Sequence, residues 1–531
     1  MPLRWPFLLL VLTSASFAQT VLVAPYLQPG NGATLTGSDT KVIAWVTDQT
    51  PGDFVVEYAV GNESFRQVRP ERVKLDFGIP KPKPVGATSA ATSTISAATP
   101  APVTATPIPS TNPLRDAATD ADSLAQQIAR SSSVAIPEKE QHYFTYHSTL
   151  TGLPFDGSVR YRVKLGTNVV REGIFHTRAS AEKTIRFVAV GDLANGKADQ
   201  NAIAWQIYQQ KPDFMVALGD IVYSDGRVSQ YMHHFWPTYN DVTNAGPTTG
   251  APLFGSIPLY PVLGNHDADR AKLPDIPDAF GAFYFFHVPS DGPGIGSWNL
   301  PLGRDKVVAD AFRVNAGATY PSLNEYSWDY GPAHFVALDS NFYNKVDDPK
   351  FLGWLENDLR NTRQPWKFVC YHAPAFQTSR EHYTEQKMRL LEPIFEKYGV
   401  DLVFAGHVHN YQRSKPLRFT PVGGRDARGR VNGEIRLDEQ FDGVTRTKPD
   451  GVIHIVSGGG GAGLYSVDLT KTIEALKKEH GANYVPLTEK YNARLHSFSF
   501  VVLSPTTLSF RQISKAGEDI DQFTITKTEP R

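Results

Sequence analysis

From Lys183 onward the chain repeats one pattern: a short, nearly continuous apolar run that stops at a glycine or a polar residue. Ile185-Arg186-Phe187-Val188-Ala189-Val190 stops at Gly191-Asp192, and Phe214-Met215-Val216-Ala217-Leu218 stops at Gly219-Asp220. The run from Pro258 to Leu263 stops at Gly264-Asn265-His266-Asp267. Trp366-Lys367-Phe368 leads into Val369-Cys370-Tyr371-His372, and Asp401-Leu402-Val403-Phe404-Ala405 into Gly406-His407-Val408-His409. Runs of this length without polar alternation read as strands buried on both faces, the habit of largely parallel sheets. Helical stretches are predicted near Ala202 to Gln209, Phe351 to Leu359 and Glu385 to Tyr398, so this part is α/β. After about Val452 strands dominate again, and they are expected to complete the sheets of the core.

In α/β sheets ligands gather just beyond the carboxyl ends of the strands. Five strand ends carrying Asp, Asn, Tyr and His are therefore expected to converge on one place. The glycines let the chain turn sharply off a strand and let backbone approach a ligand. Asp192, Asp220, Tyr223, Asn265, His372, His407 and His409 exceed what one catalytic zinc with three protein ligands requires. They suit two metals sharing a carboxylate, a clamp for in-line attack on a phosphate ester.

The N-terminal part has another grammar. Met1-Pro2-Leu3-Arg4, an apolar run from Trp5 to about Leu12 and small residues up to Ala18 read as an export signal, residues 1–18. The run is too short for a membrane span, which needs about 20 apolar residues. Between 19 and 179 short strand-like segments are bounded by Gly, Pro and Asp turns, for example Val42 to Thr47 and Phe54 to Tyr58, and a small β-sandwich is expected. It is interrupted at about 84–113 by a stretch almost wholly Ala, Pro, Ser and Thr, expected to be a disordered insertion. A short helix is conceivable at Ala121 to Ala129.

Composition removes several function classes. Fifty-three Lys and Arg stand against 54 Asp and Glu, so no basic excess points to nucleic acid. The single cysteine, Cys370, excludes an intrachain disulfide and a multi-Cys metal site. Gly458-x-Gly460-x-x-Gly463 has the spelling of a dinucleotide loop but no βαβ unit around it, and reads as a glycine loop beside the site.

The set Gly191-Asp192, Gly219-Asp220-x-x-Tyr223, Gly264-Asn265-His266-Asp267, Val369-x-x-His372 and Gly406-His407-x-His409 resembles the calcineurin-like metallophosphoesterases, and within them the purple acid phosphatases. Many metallophosphoesterases have a histidine two residues after the first Asp; here that position is Ala194, and Tyr223 stands in its place. The segment Leu150-Thr151-Gly152-Leu153-Pro154 with Tyr161-Arg162-Val163 resembles a strand corner of fibronectin type III domains. The resemblance implies a fibronectin III-like sandwich followed by an αββα metallophosphoesterase domain over 183–531. It implies Fe(III) held by Asp192, Asp220, Tyr223 and His409, and a divalent Zn, Fe or Mn held by Asp220, Asn265, His372 and His407. A metal-bound hydroxide would attack phosphorus, with His266 reaching the phosphate and His382 donating to the leaving group. The implied protein is a secreted or periplasmic acid phosphatase acting on small phosphate monoesters. A phosphodiesterase or nucleotide hydrolase is the nearest alternative, and a non-catalytic surface-binding protein a more distant one. The natural substrate and the oligomeric state stay open at this point.

Overall fold

The computed structural model describes residues 19–77, 142–268, 273–294, 300–465, 478 and 486–528. The expected export signal at 1–18, the Ala/Pro/Ser/Thr-rich stretch at 84–113 and the helix considered at 121–129 lie outside the described residues.

Eight strands build the N-terminal unit: β1 (Val21–Gln28), β2 (Asp39–Thr47), β3 (Phe54–Val60), β4 (Arg66–Val68), β5 (Glu71–Asp76), β6 (His142–Leu153), β7 (Ser158–Leu165) and β8 (Asn168–His176). They form two four-stranded antiparallel sheets, ordered β1-β2-β6-β5 and β4-β3-β7-β8. Inward residues of both sheets share one apolar core. At its centre Trp45 stacks on Tyr146 with ring centroids 5.3 Å apart, and Phe54 meets both rings edge-on. Strands β5 and β6 are antiparallel neighbours with Asp76 opposite His142. The 65 or so residues between them therefore leave and re-enter at adjacent strand ends, and a long connection there costs little closure entropy per added residue.

The second unit contains β9 (Ile185–Val190), β10 (Phe214–Leu218), β11 (Leu259–Val262), β12 (Tyr326–Tyr330), β13 (Ala333–Ala337), β14 (Trp366–Cys370), β15 (Leu402–Ala405), β16 (Tyr411–Ser414), β17 (Leu417–Arg425), β18 (Val431–Leu437), β19 (Ile453–Ser457), β20 (Thr488–Asn492), β21 (Ser497–Leu503), β22 (Thr507–Ser514) and β23 (Asp519–Thr526). One sheet is ordered β11-β10-β9-β21-β22-β23, the other β12-β13-β14-β15-β19-β16-β20, and β17 pairs with β18 as a separate hairpin. The C-terminal strands complete both sheets. The sheets face each other through aromatic rings: Phe187 of the first lies 5.2 Å from Phe335, 5.6 Å from Phe368 and 6.0 Å from Phe404 of the second, centroid to centroid. Such ring contacts combine large apolar burial with edge-to-face preference.

Helices cover the outer faces, giving an αββα arrangement. Helix Ala198–Gln210 buries Ile203, Ala204 and Ile207 with the first sheet. Helices Pro349–Asn361 and Glu392–Tyr398 bury Phe351, Leu355, Leu359 and Phe395 with Val336, Val369 and Val403 of the second. Pro349–Asn361 starts where its sequence says it should: Asp348 accepts hydrogen bonds from the amides of Lys350 and Phe351, and proline takes the first helical position. The helix expected over 385–398 is shorter. A 3₁₀ turn, Lys387–Leu391, precedes Glu392–Tyr398, and Glu385 lies in the loop before it. Pro393 explains the late start, because it belongs in a first turn rather than mid-helix. Cys370 is a buried free thiol at the end of β14.

His334, on β13, sits between two carboxylates, with Nδ1 2.8 Å from Asp329 and Nε2 2.8 Å from Asp358. Asp291 and Ser327 complete the cluster: the Ser327 hydroxyl lies 2.6 Å from Asp291 and 2.8 Å from Asp358 and donates its one proton between them. Burial opposes protonation of His334, but the bonds to Asp329 and Asp358 outweigh it and raise its pKa to about 9. The folded value lies above the unfolded one. The stability it contributes is therefore fully present below about pH 6.5 and lost as pH rises through about 9. Urea unfolding at pH 6.5 and pH 9.5 should show a drop on the order of 3 kcal/mol that is absent from His334→Gln. Equal drops in the two proteins would refute it.

Candidate metal centre

Strands β9, β10 and β11 run parallel, as do β13, β14, β15 and β19. The carboxyl ends of both parallel sets lie on one edge of the sandwich. Asp192 follows β9, Asp220 follows β10, Asn265 and His266 follow β11, His372 follows β14, and His407 and His409 follow β15. The chain leaves these strands in left-handed conformations: φ is +62° at Asp192, +49° at Asp220 and +66° at His407. Non-glycine residues there are uncommon, and their grouping at one site marks a constrained, functional backbone. Two glycines make the convergence possible. A Cβ on Gly219 (φ +85°) would lie 2.5 Å from His372 Nδ1, and one on Gly264 would lie 2.2 Å from the Asp220 amide nitrogen and Oδ1.

The predicted residues meet in two adjoining groups. In the first, Asp192 Oδ1 accepts from the Tyr223 hydroxyl at 2.8 Å and lies 3.2 Å from His409 Nε2, with Tyr223 and His409 3.1 Å apart. In the second, His372 Nε2 lies 3.3 Å from Asp220 Oδ1, 3.0 Å from Asn265 Oδ1 and 3.1 Å from His407 Nδ1. Metal-capable atoms of Asp220, His372 and His407 all fall within 4.8 Å of one another. His266 joins from the side, its amide donating to Asp220 Oδ1 at 2.8 Å and its Nε2 3.8 Å from Asp220 Oδ2.

Each imidazole is held from behind. His372 Nδ1 donates to the Leu218 carbonyl at 2.7 Å, and His409 Nδ1 to the Gly463 carbonyl at 2.7 Å. His407 Nε2 donates to Glu385 at 3.1 Å, and His266 Nδ1 to the Ser224 carbonyl. An N–H committed to an outer acceptor leaves the inner nitrogen as a lone pair, which is how proteins orient metal-binding histidines. The loop containing Gly458, Gly460 and Gly463 supplies one of these acceptors, and a Cβ on Gly458 would crowd Asp192 Oδ2 at 2.9 Å.

Charge points the same way. Asp192 and Asp220 are buried, and among the described residues neither pairs with a Lys or Arg. Burial would raise the Asp220 pKa, yet His372 and His266 hold it well below the carboxylate range. Burial opposes protonation of His372, but Asp220 lifts its pKa to about 10. Burial and the neighbouring His382 push His407 down to about 4. Burial together with Asp192 and Asp220 drives the Tyr223 phenol well above its usual value. Carboxylate oxygens and imidazole nitrogens turned toward one another, with no Lys or Arg among them in the described residues, are a donor set for cations. The residues fit a pair of metal ions.

His382 (φ +57°) reaches the same edge, its ring centroid 3.9 Å from that of His407. Its Nδ1 bonds Glu385 at 2.7 Å, so one carboxylate holds both rings. Glu385 was not anticipated from sequence; its only signal was its place three residues after His382. Asp267 was also missed as a support. Its carboxylate accepts from the amides of Gly264 and Ile221, tying the turn after β11 to the turn after β10. Tyr465 stacks on His409 with ring centroids 4.2 Å apart. Ala194, two residues after Asp192, is buried and bridges to Val222, which sets Tyr223 beside Asp192.

Comparison with known proteins agrees with this geometry. Residues 185–411 match the calcineurin-like phosphoesterase family. The chain is 26% identical to purple acid phosphatase 18 of Arabidopsis thaliana over 322 residues, 59% of this chain and 58% of that protein. It is 28% identical to a purple acid phosphatase of Glycine max over 287 residues, 51% of this chain and 53% of that one. The chain spans a little over half the length of the curated relatives it matches. A purple acid phosphatase isolated from yellow lupin (Lupinus luteus) seeds superposes with a TM-score of 0.59 at 16% identity, covering 94% of this chain and 74% of that one. At that identity the likeness concerns the fold.

Proposed function

We propose, on the premise that residues 185–411 form a calcineurin-like phosphoesterase domain, that this protein is an exported acid phosphatase which hydrolyses small phosphate monoesters at a two-metal centre. The observation that carries this reading is the set of inward-facing donors, with the three ligating histidines each fixed by an outer acceptor. Asp192, Tyr223 and His409 would hold one ion, Asn265, His372 and His407 the other, with Asp220 shared between them. Phenolate and carboxylate are hard anionic donors that suit ferric iron in the first position; the second takes Zn, Fe or Mn. Two such ions would neutralise phosphate charge and make water acidic enough to attack below neutral pH.

The protein's own groups do the rest. His266 lies beside Asp220 with Nδ1 held by the Ser224 carbonyl, and its Nε2 would bond a phosphate oxygen. His382 lines the cavity in front of the centre, oriented by Glu385, where it would give a proton to the leaving oxygen. The new bond joins water oxygen to phosphorus, the ester P–O bond breaks, and the departing alkoxide leaves as an alcohol. Among the described residues no helix is long and apolar enough to cross a membrane. The signal at 1–18 and the fibronectin III-like character of the N-terminal sandwich belong to the same proposal.

Protein produced with iron available should hydrolyse p-nitrophenyl phosphate faster at mildly acidic than at alkaline pH. It should carry close to two metals per chain and show a visible absorption band. Tyr223→Phe should lose the band, because the phenolate supplies the charge transfer, and keep the second metal. A colourless wild type would remove Tyr223 as a ligand, and bis-p-nitrophenyl phosphate turned over faster than the monoester would replace the monoesterase by a diesterase.

A further inference from the structure

A cavity of about 400 Å³ opens in front of the proposed centre. Asn265, His382 and His407 line it from the metal side, Phe342 adds an aromatic ring, and Arg425 and Arg428 enter from the β17–β18 hairpin. The hairpin lies in a part of the chain that the sequence motifs left without a role.

Its five arginines fall into two classes. Arg418 and Arg436 both bond Asp450, and Arg430 bonds Asp426. Among the described residues Arg425 and Arg428 have no carboxylate partner, and these are the two that face the cavity. Among the described residues the one carboxylate in the cavity wall, Glu385, is engaged by His382 and His407. The tip of the hairpin is fastened to the loop that carries those groups. The Gln386 amide donates to the Gly429 carbonyl at 3.4 Å, and the Val431 amide to Gln386 Oε1 at 3.1 Å. Gly429 (φ +88°) sits so close that a Cβ would lie 2.7 Å from the Thr384 carbonyl oxygen. The buried Arg389 adds a bond to the Val431 carbonyl at 3.4 Å. The two free guanidinium groups thus sit on an anchored turn beside the reaction centre.

A guanidinium fork matches phosphate geometry and stays charged at any working pH. One phosphate would be taken by the metal centre, which leaves these arginines for a second anionic group. We infer that Arg425 and Arg428 form a subsite for a second phosphate, and that the substrate is a polyphosphorylated small molecule, whether nucleoside polyphosphate or inositol polyphosphate. The inference rests on the phosphatase reading above and adds the substrate class. The exposed ring of Phe342, 66% accessible, separates the two sources, since only a nucleoside has a flat base to stack on it.

The test uses the full metal-loaded chain, with p-nitrophenyl phosphate, ADP and inositol hexakisphosphate as substrates. The readout is the ratio of kcat/KM for each polyphosphate to that for p-nitrophenyl phosphate. In R425Q/R428Q the ratio for at least one polyphosphate should fall about fivefold or more, with no such fall in R436Q, whose guanidinium is held by Asp450. A smaller fall, or an equal one in R436Q, overturns the subsite. F342A should lower the ratio for ADP and not for inositol hexakisphosphate if the natural source is a nucleotide; any other result removes base stacking on Phe342, and the source is then the polyphosphate whose ratio falls more in R425Q/R428Q. Calorimetric binding of inorganic tripolyphosphate keeps the two readings separable. If no substrate is hydrolysed by any variant, the phosphatase reading falls. Tripolyphosphate binding then decides the subsite alone: about fivefold weaker binding in R425Q/R428Q upholds it, and unchanged binding rejects it.

Discussion

Asp220→Asn is expected to lower kcat/KM for p-nitrophenyl phosphate by at least about 10³-fold, some 4 kcal/mol of transition-state stabilisation. The substitution keeps the shape and removes the charge. That charge is the only carboxylate in the second donor group, and it also faces the first, since it raises the Tyr223 pKa together with Asp192. Its loss should therefore cost both ions rather than one. Metal analysis should fall from near two per chain to below one. The backbone should survive, because the bond from the His266 amide to Oδ1 can be kept by an amide oxygen. Thermal melting of the metal-free protein checks this. Asp267→Asn is the companion control, because Asp267 supports the turns without entering either group. Retention of more than about a tenth of wild-type activity with two metals bound would mean that the shared-carboxylate arrangement is wrong.

How far the site could be read in advance depended on how local its signals were. Every proposed ligand except Tyr223 lies within four residues of a strand's end, and each strand was legible as a buried apolar run stopped by polar residues. The glycines were readable for the same reason: Gly219 and Gly264 sit where the structure brings backbone against His372 and Asp220. Glu385 was not readable. Its neighbours suggested a helix, and its role arises because the fold brings position 385 against His407, 22 residues on. The arginines of the β17–β18 hairpin were hidden differently. The hairpin's outer half is largely exposed, so no hydrophobic pattern fixes its position, and the bonds that dock its tip, to Gln386 and Arg389, are made only by the fold. His334 carried no motif, and its partners come from a neighbouring strand and a helix 24 residues away. Local chemistry was visible in the sequence. Pairings made by tertiary contact were not.

The second large effect lies at the junction of the two units, where sequence offered only a change of pattern near residue 180. Arg178→Met is expected to destabilise the protein by about 3 kcal/mol or more and to loosen the sandwich from the αββα unit. Arg178 is 1% accessible. Its backbone amide and Nε each donate to the Asp39 carboxylate at 2.8 Å, and its remaining nitrogens reach the carbonyls of Ala33 and Thr34 at 3.1 Å and of Asp329 at 3.2 Å. One guanidinium thus ties the turn between β1 and β2 to strand β12, where the Asp329 amide also donates to Ala33. Methionine fills similar volume but leaves Asp39 with Lys41 as its one cationic partner and takes one donor from each of three carbonyls, of which Ala33 keeps the Asp329 amide. Lys41→Met is the discriminating comparison. Lys41 is equally buried, and burial pushes its pKa down to about 8 despite Asp39. Apart from a bond to the carbonyl of Thr40 beside it, it serves Asp39, and among the described residues it makes no bond to the second unit. It should therefore cost stability without altering how the units are joined. Limited proteolysis near residues 178–183 should accelerate in Arg178→Met and not in Lys41→Met, while urea unfolding should show both destabilised. If Arg178→Met lost less than about 1 kcal/mol, the buried ion pair would be repaid by relaxation of the junction, and the coupling of the two units would have to rest on their shared apolar core and on other bonds, among them those from the Tyr26 and Tyr161 hydroxyls to the carbonyls of Phe285 and Gly255 and from Asn240 to the Ala24 carbonyl.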